Sequence, residues 1–295
     1  MEFKWKYEQA TPMKLRNFLK AQGLSRRLLA KIRHSGGEIS VAGKSGRVVD
    51  KVYPGDIVVL RTPPEETKNQ LVKSFVPIEV LYEDRDYLIV NKPAHLASIP
   101  AALHPDDSLI NRILGYYHVR GYRGIIPHIM TRLDRDTSGV VLLAKHGYAQ
   151  AVLEQNQNQY PIQKEYYALL SGNLKIKKAL INLPIGRDEN SLFKRKVTTQ
   201  GKNAQTELKV KQNYAKVTLC KIKLHTGRTH QIRVHCAYLG HPLVSDEMYQ
   251  GKQMAPLERQ GLHCYQIKFY HPFKKEMIQI KSPLPTDIQV IINKK

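Results

Sequence analysis

Near the start of the chain, Leu15, Phe18 and Leu19 recur at helical spacing between Thr11-Pro12 and Gly23. Thr11 suits an N-cap, Pro12 suits the first helical position, and Gly23 can end the helix. Ser25 opens a second helical pattern in which Leu28, Leu29 and Ile32 face inward, stopped by Ser35-Gly36-Gly37. Short strands are expected at 38–41 and 47–49, and at 57–60 after the turn Pro54-Gly55-Asp56. The stretch Pro63-Pro64-Glu65-Glu66-Thr67-Lys68-Asn69-Gln70 is polar and unpatterned, which reads as a linker.

Beyond it, Val140-Val141-Leu142-Leu143-Ala144, opened by Gly139, is a continuous apolar run of the kind found in a buried strand. Residues 148–159 read as a helix. Over 217–224, Lys221 and Lys223 alternate with Ile222 and Leu224, as in a half-buried strand. Thr229 can cap a helix that turns Ile232, Cys236 and Leu239 inward, with Gly240 past its end. Helices and strands interleave without an internal repeat, so the expected class is α+β. The expected organisation is a small module at 1–62, a linker at 63–75 and a main domain at 76–295.

Charge changes this picture. The net charge of +22 points to a polyanionic partner, though charge alone leaves RNA, DNA, heparin and anionic lipid open. Between Thr11 and Ser35 the charged residues are Lys14, Arg16, Lys20, Arg26, Arg27, Lys31 and Arg33, without one acid. Ordinary solvated helices mix signs, so a one-signed helical pair suggests phosphate contact. Cys220, Cys236 and Cys264 are far apart and odd in number, which supports neither a disulfide scaffold nor a zinc knuckle. His225, His230 and His235 recur every five positions, which does not put them on one helical face. No metal-ligand spacing and no phosphate-binding glycine motif is present, so neither a metal nor a cofactor is expected. The N-terminal stretch lacks an apolar signal core and no apolar run approaches a membrane span. A cytoplasmic protein without a membrane partner is expected, and a monomer.

The most informative stretch is Thr131-Arg132-Leu133-Asp134-Arg135-Asp136-Thr137-Ser138-Gly139. It places two carboxylates and two guanidinium groups in the connection feeding a core strand, where acids are seldom kept without a partner. An arginine can hold such a carboxylate ionised. The residues themselves leave two readings open, a structural ion pair or a reactive aspartate.

This stretch resembles the catalytic loop of the RluA/RluD-type RNA pseudouridine synthases, whose pattern reads H-R-L-D-x-x-T-S-G. Three further pieces follow that family's order: 83–93, ending Val90-Asn91-Lys92-Pro93, then Lys164-Glu165-Tyr166-Tyr167-Ala168-Leu169, then Leu224-His225-Thr226-Gly227-Arg228-Thr229-His230-Gln231-Ile232-Arg233-Val234-His235. Gly201-Lys202-Asn203-Ala204-Gln205-Thr206 and Arg259-Gln260-Gly261-Leu262-His263 match weaker patterns of the family. Two departures stand out. Thr131 replaces the usual histidine, and Ser245-Asp246 replaces a usual Gly-Asp. The resemblance implies a mixed, mostly antiparallel sheet around a central cleft, and isomerisation of uridine to pseudouridine without a cofactor. It implies Asp134 as the essential acid, with Asp136 a loop-capping rival. Tyr166 would stack under the target base, with Tyr167 turned into the core. Arg233 would pair with Asp134. Arg132 would fill the space left by the extruded uridine, Arg228 and His230 would line the RNA surface, and Lys92 would support the cleft.

The helix–helix–strand order of residues 1–62 resembles the αL RNA-binding module of a small-subunit ribosomal protein and of many enzymes that modify ribosomal RNA. Lys14, Arg16, Arg26, Arg27, Lys31 and Arg33 would then grip phosphate. The implied partner is RNA, in particular ribosomal RNA of the large subunit or a pre-ribosomal particle. The alternative is a catalytically silent RNA-binding or ribosome-assembly protein on the same fold. A DNA-binding or glycosidase-type enzyme would want a groove-reading motif or a second placed acid, and a base deaminase would want zinc ligands.

Overall fold

The computed structural model describes residues 1–66, 71–101 and 105–293. Its first part runs β1 (Glu2–Lys6), β2 (Met13–Lys14), α1 (Leu15–Ala21), α2 (Arg26–His34), β3 (Glu38–Val41), β4 (Lys44–Ser45), β5 (Lys51–Val52) and β6 (Ile57–Arg61). Strands β1, β6, β3 and β4 form an antiparallel sheet in that order. The two-residue period turns Phe3, Ile39, Val58 and Leu60 onto Leu15, Leu19, Leu29 and Ile32 of the helices.

Local signals and long-range pairing compete here. Ser25 caps α2 as its sequence predicts, accepting from the Leu28 N–H at 3.1 Å. Helix α1 does not begin at Thr11-Pro12, because Met13 and Lys14 are extended and pair with β5. Residues 47–49 form a turn, not a strand, closed by the Asp50 carboxylate accepting from the Arg47 N–H at 2.7 Å.

The second part contributes β7 (Glu79–Glu83), β8 (Tyr87–Lys92), α3 (Leu109–Val119), β9 (His128–Ile129), β10 (Ser138–Ala144) and α4 (Gly147–Asn156). There follow β11 (Gln163–Ser171), β12 (Lys178–Asn182), β13 (Ile185–Arg187), β14 (Arg195–Val197), β15 (Gln205–Asn213) and β16 (Val217–Leu224). Last come α5 (Gln231–Tyr238), β17 (Leu262–His271), β18 (Glu276–Lys281) and α6 (Thr286–Asn293). The large sheet has the order β12-β15-β16-β11-β17-β10-β8-β7, with β18 on β17 and β9 on β10. Every pairing in it is antiparallel except β10 with β17. The class is therefore α+β with a mostly antiparallel sheet. The apolar run after Gly139 is buried at every position of β10.

Two expectations in this part are corrected. Helix α5 starts at Gln231, because the Gln231 side chain closes the preceding turn, accepting from the Arg228 N–H at 2.9 Å and the Thr226 hydroxyl at 2.8 Å. Leu239 then falls past its end and is exposed. Tyr167 does not enter the core. It lies on the sheet face opposite Tyr166, half-buried and tilted against Tyr265 with ring centroids 4.3 Å apart.

The two parts share a core. Tyr148 and Val152 of α4 belong to the apolar cluster of the N-terminal module. Phe3 meets Tyr148 edge-on at 4.7 Å, and the Tyr148 hydroxyl donates to the Gln22 carbonyl at 2.7 Å. The stretch 63–75, expected as a linker, is fastened where it is described. The Glu65 carboxylate accepts from the Gly147 N–H at 2.7 Å and joins His128 at 2.6 Å, and the Glu65 N–H donates to Gly124. Residues 67–70 of that stretch lie outside the described residues. No helix among the described residues is long and apolar enough to cross a membrane.

Replacing Tyr148 with alanine should cost about 3 kcal/mol, from the cavity and the lost hydrogen bond. Urea unfolding of the full chain should still show one transition, at a lower midpoint. A separate early transition of the N-terminal part in the parent protein would mean the core is not shared.

Candidate active site

The loop between β9 and β10 carries Asp134, and polar contacts hold it along its length. The Met130 and Thr131 N–H groups donate to the Leu142 carbonyl at 2.9 and 3.2 Å, and Thr131 Oγ1 accepts from the Leu142 N–H at 3.0 Å. Thr131, in place of the usual histidine, thus ties the loop to β10. Ser98 Oγ donates to the Leu133 carbonyl at 2.7 Å and accepts from its N–H at 3.2 Å. Lys92 is fully buried, and its ammonium donates to the carbonyls of Pro93, Leu96 and Arg135 at 2.8, 2.7 and 2.9 Å. Burial pushes that ammonium down to about 7, against the opposing pull of Asp136 and Asp134. Arg259 Nη1 donates to the Asp136 carbonyl at 3.2 Å, and Gln260 Nε2 to Thr137 Oγ1 at 3.1 Å. Gly139 sits at φ 119°, where a side chain would collide with the backbone of Cys264 on β17.

The loop forms one wall of a cleft of about 820 Å³. Asp134 opens into it with its side chain 31% exposed, and it is the only acid lining the cleft among the described residues. Strand β11 supplies Tyr166 and Lys164 from the facing wall, the approach to α5 supplies Arg228 and His230, and α5 itself supplies Arg233. Arg132 is exposed at the rim. Arg228 is also exposed, with Nε donating to the Asn203 carbonyl at 2.9 Å.

Arg233 is buried, and its fork is occupied by Asp246, with Nε and Nη2 donating to the two carboxylate oxygens at 2.7 and 2.8 Å. Its remaining Nη1 stands 3.5 Å from Asp134 Oδ2. The guanidinium also covers the Tyr249 ring at 5.0 Å. His230, held in the left-handed region at φ 56°, joins the Tyr249 hydroxyl through Nδ1 at 3.0 Å and turns Nε2 to within 4.0 Å of Asp134. Burial lowers the pKa of His230, with Asp134 acting against it. Burial raises the Tyr166 phenol well above its ordinary value, with Cys264 and Asp134 adding to the effect, so the hydroxyl is protonated at neutral pH. Asp136 has different company. Burial acts to raise its pKa, but Arg135 at 2.9 and 3.1 Å and His95 at 3.2 Å outweigh that and lower it.

A carboxylate with arginine and histidine behind it, facing an aromatic ring across a basic cleft, can receive a planar base and stabilise positive charge on an attached sugar. The described acids offer no second carboxylate in the cleft to activate water. A family model described as RNA pseudouridylate synthase matches residues 86–238. The chain belongs to this family. It is 36% identical to an uncharacterized RNA pseudouridine synthase of Bacillus subtilis, over 95% of this chain and 98% of that protein. It is 32% identical to ribosomal large subunit pseudouridine synthase D of Xylella fastidiosa, over 85% of this chain and 79% of that one. Among solved structures it resembles human RNA pseudouridylate synthase domain containing 1, at 27% identity and a TM-score of 0.57. That match covers 71% of this chain and 84% of the other. Nothing in these comparisons supports the catalytically silent alternative.

In this RNA pseudouridine synthase, sequence reasoning missed three residues of the cleft region. Asp246 was noted only for its turn. Ser245 does occupy the left-handed region that glycine favours, at φ 57°, and that turn aims the Asp246 carboxylate at Arg233. Lys164 stands in the tyrosine motif, which gives it no role of its own. Phe193, on the connection between β13 and β14, lines the cleft while 66% exposed, and an isolated phenylalanine in a polar stretch was the only signal.

Asp246→Asn should destabilise the synthase by about 3 kcal/mol, because it leaves the Arg233 guanidinium buried and half-paired. Denaturant unfolding measures this directly. An unchanged midpoint would mean the pair contributes nothing net.

Proposed function

We propose that Asp134 is the residue on which the isomerisation turns. The observation that carries this reading is its position as the only acid lining the cleft among the described residues, with Arg233 and His230 behind it and Tyr166 opposite. Tyr166 stacks under the extruded uracil, Arg233 orients Asp134, and Arg132 occupies the space that the uridine leaves. Asp136 is a loop acid held by Arg135 and His95. Arg228 and His230 meet the RNA beside the target.

The substrate is a uridine in structured RNA, and large-subunit ribosomal RNA or a pre-ribosomal particle is the favoured source. The Xylella relative, named for the large ribosomal subunit, supports the first of these. Residues 1–62 act as the RNA grip. The ion pairs of that module join Arg47 to Asp50 and Arg61 to Glu2 and Glu38. Lys14, Arg16, Arg26, Arg27, Lys31 and Arg33 are exposed and outside those pairs, which leaves them for phosphate. The protein works in the cytoplasm as a monomer.

Asp134→Asn should abolish conversion of uridine in a single-turnover assay, with RNA affinity within about threefold of the parent, because charge is removed at constant size. Asp136→Asn should stay within about tenfold of the parent rate. The reverse pattern would move the site by two residues. Replacing Arg26, Arg27 and Lys31 together with alanine should flatten the slope of log affinity against log salt by roughly two to three. An unchanged slope would mean that these helices do not touch phosphate.

A further inference from the structure

Lys164 stands apart from the other cations of the synthase's interior. Lys92 is saturated by carbonyls, Arg233 is divided between Asp246 and Asp134, and Arg228 has Asn203. Lys164 lines the cleft two positions before Tyr166 on β11, so strand alternation turns both side chains to the same side. Its Nζ has no hydrogen-bond or carboxylate partner among the described residues, and it faces Gly227, where an added Cβ would stand 4.0 Å away. Burial lowers its pKa, while Cys264 of β17 and Asp134 of the loop act to raise it. Arg228, His230 and Arg233 line the same cleft. Lys164 is half-buried and its ammonium faces the cleft, so its donors are left for a ligand that enters there.

We propose that Lys164 is a further catalytic residue, donating a hydrogen bond to a carbonyl oxygen of the target uracil and stabilising the charge the base acquires when its bond to ribose breaks. This rests on the reading that Asp134 and Tyr166 receive the extruded uridine. When N1–C1′ breaks, the electron pair leaves with the base as an anion spread over N1, O2 and O4. Asp134 answers the charge deficit at the sugar. Lys164 keeps its proton throughout. The base then turns, C5 bonds to C1′, the hydrogen on C5 leaves as a proton, and N1 takes one up, so nothing is oxidised and no atom is gained. A preformed donor held against the protein wall is worth more to such an anion than the same group free in solvent. A lysine suits a base that turns, because its donors rotate on a flexible stem where a guanidinium fork is fixed.

The test uses the full-length protein with a short RNA carrying uridine or 5-fluorouridine at the target. Lys164→Met should slow N1–C1′ cleavage of the uridine RNA roughly a hundredfold, as loss of one such donor does. RNA affinity should stay within about threefold of the parent. Fluorine stabilises the departing anion, so the deficit on the fluorinated RNA should shrink to about tenfold or less, and Lys164→Arg should recover most of the rate. Thermal melting checks the fold, and if the methionine variant does not fold, Lys164→Gln against Lys164→Arg makes the same comparison. A variant as fast as the parent, or one slowed equally on both RNAs, overturns the proposal. Full activity in Asp134→Asn would instead overturn the reading beneath it.

Discussion

Strands β10 and β17 touch over a very short length. Their pairing spans Ser138 opposite His263 and Gly139 opposite Cys264, and it is parallel in an otherwise antiparallel sheet. Asp134 belongs to the half of the sheet built on β8 and β10, whereas Tyr166 and Lys164 belong to the half built on β11 and β16. The two halves approach closely because residue 139 has no side chain. Hydrogen bonds on either side, from Ser138 to His263 and from Gln260 to Thr137, keep the crossing in register. The geometry between the acid and the aromatic ring across the cleft is thus inherited from a backbone contact, and side-chain packing only refines it.

Around that crossing the charges are arranged by rank. The Arg233–Asp246 pair is buried and bidentate, so it is a fixed part of the wall. Asp134 receives one nitrogen of the same guanidinium at 3.5 Å, a positive neighbour without a clamp. The rank follows from burial. Asp246 is 1% exposed and must be paired, whereas Asp134 opens to the cleft and can turn toward a ligand. Tyr249 serves both neighbours of Asp134, under the Arg233 guanidinium through its ring and at the His230 imidazole through its hydroxyl.

What was legible in the chain was local. The cap at Ser25, the buried run after Gly139 and the alternation of β16 depend on neighbours in sequence, and each matches the structure. Expectations failed where distant partners intervene. Met13 and Lys14 pair with β5 and delay α1, and the Gln231 side chain moves the start of α5. Strand β1 is not legible in the sequence although Phe3 and Trp5 alternate with charged residues, since a short terminal run is ambiguous until its partner β6 is known. The same division holds at the cleft. Asp134, Tyr166 and Arg233 stand in motifs. Asp246 sits in a turn after α5, and Lys164 and Phe193 gain meaning only from what surrounds them in space.

The loop bearing Asp134 has almost no slack. Thr131, Leu133, Arg135, Asp136 and Thr137 are each tied by hydrogen bonds, to Leu142, Ser98, Lys92, Arg259 and Gln260 in turn. A segment so held cannot travel to meet its target without breaking several bonds at once. On the proposed reading of Asp134, the large displacement falls to the nucleotide. The loop then acts as a stationary template, and how readily a given uridine is modified would follow from how easily its own RNA releases it from the stack.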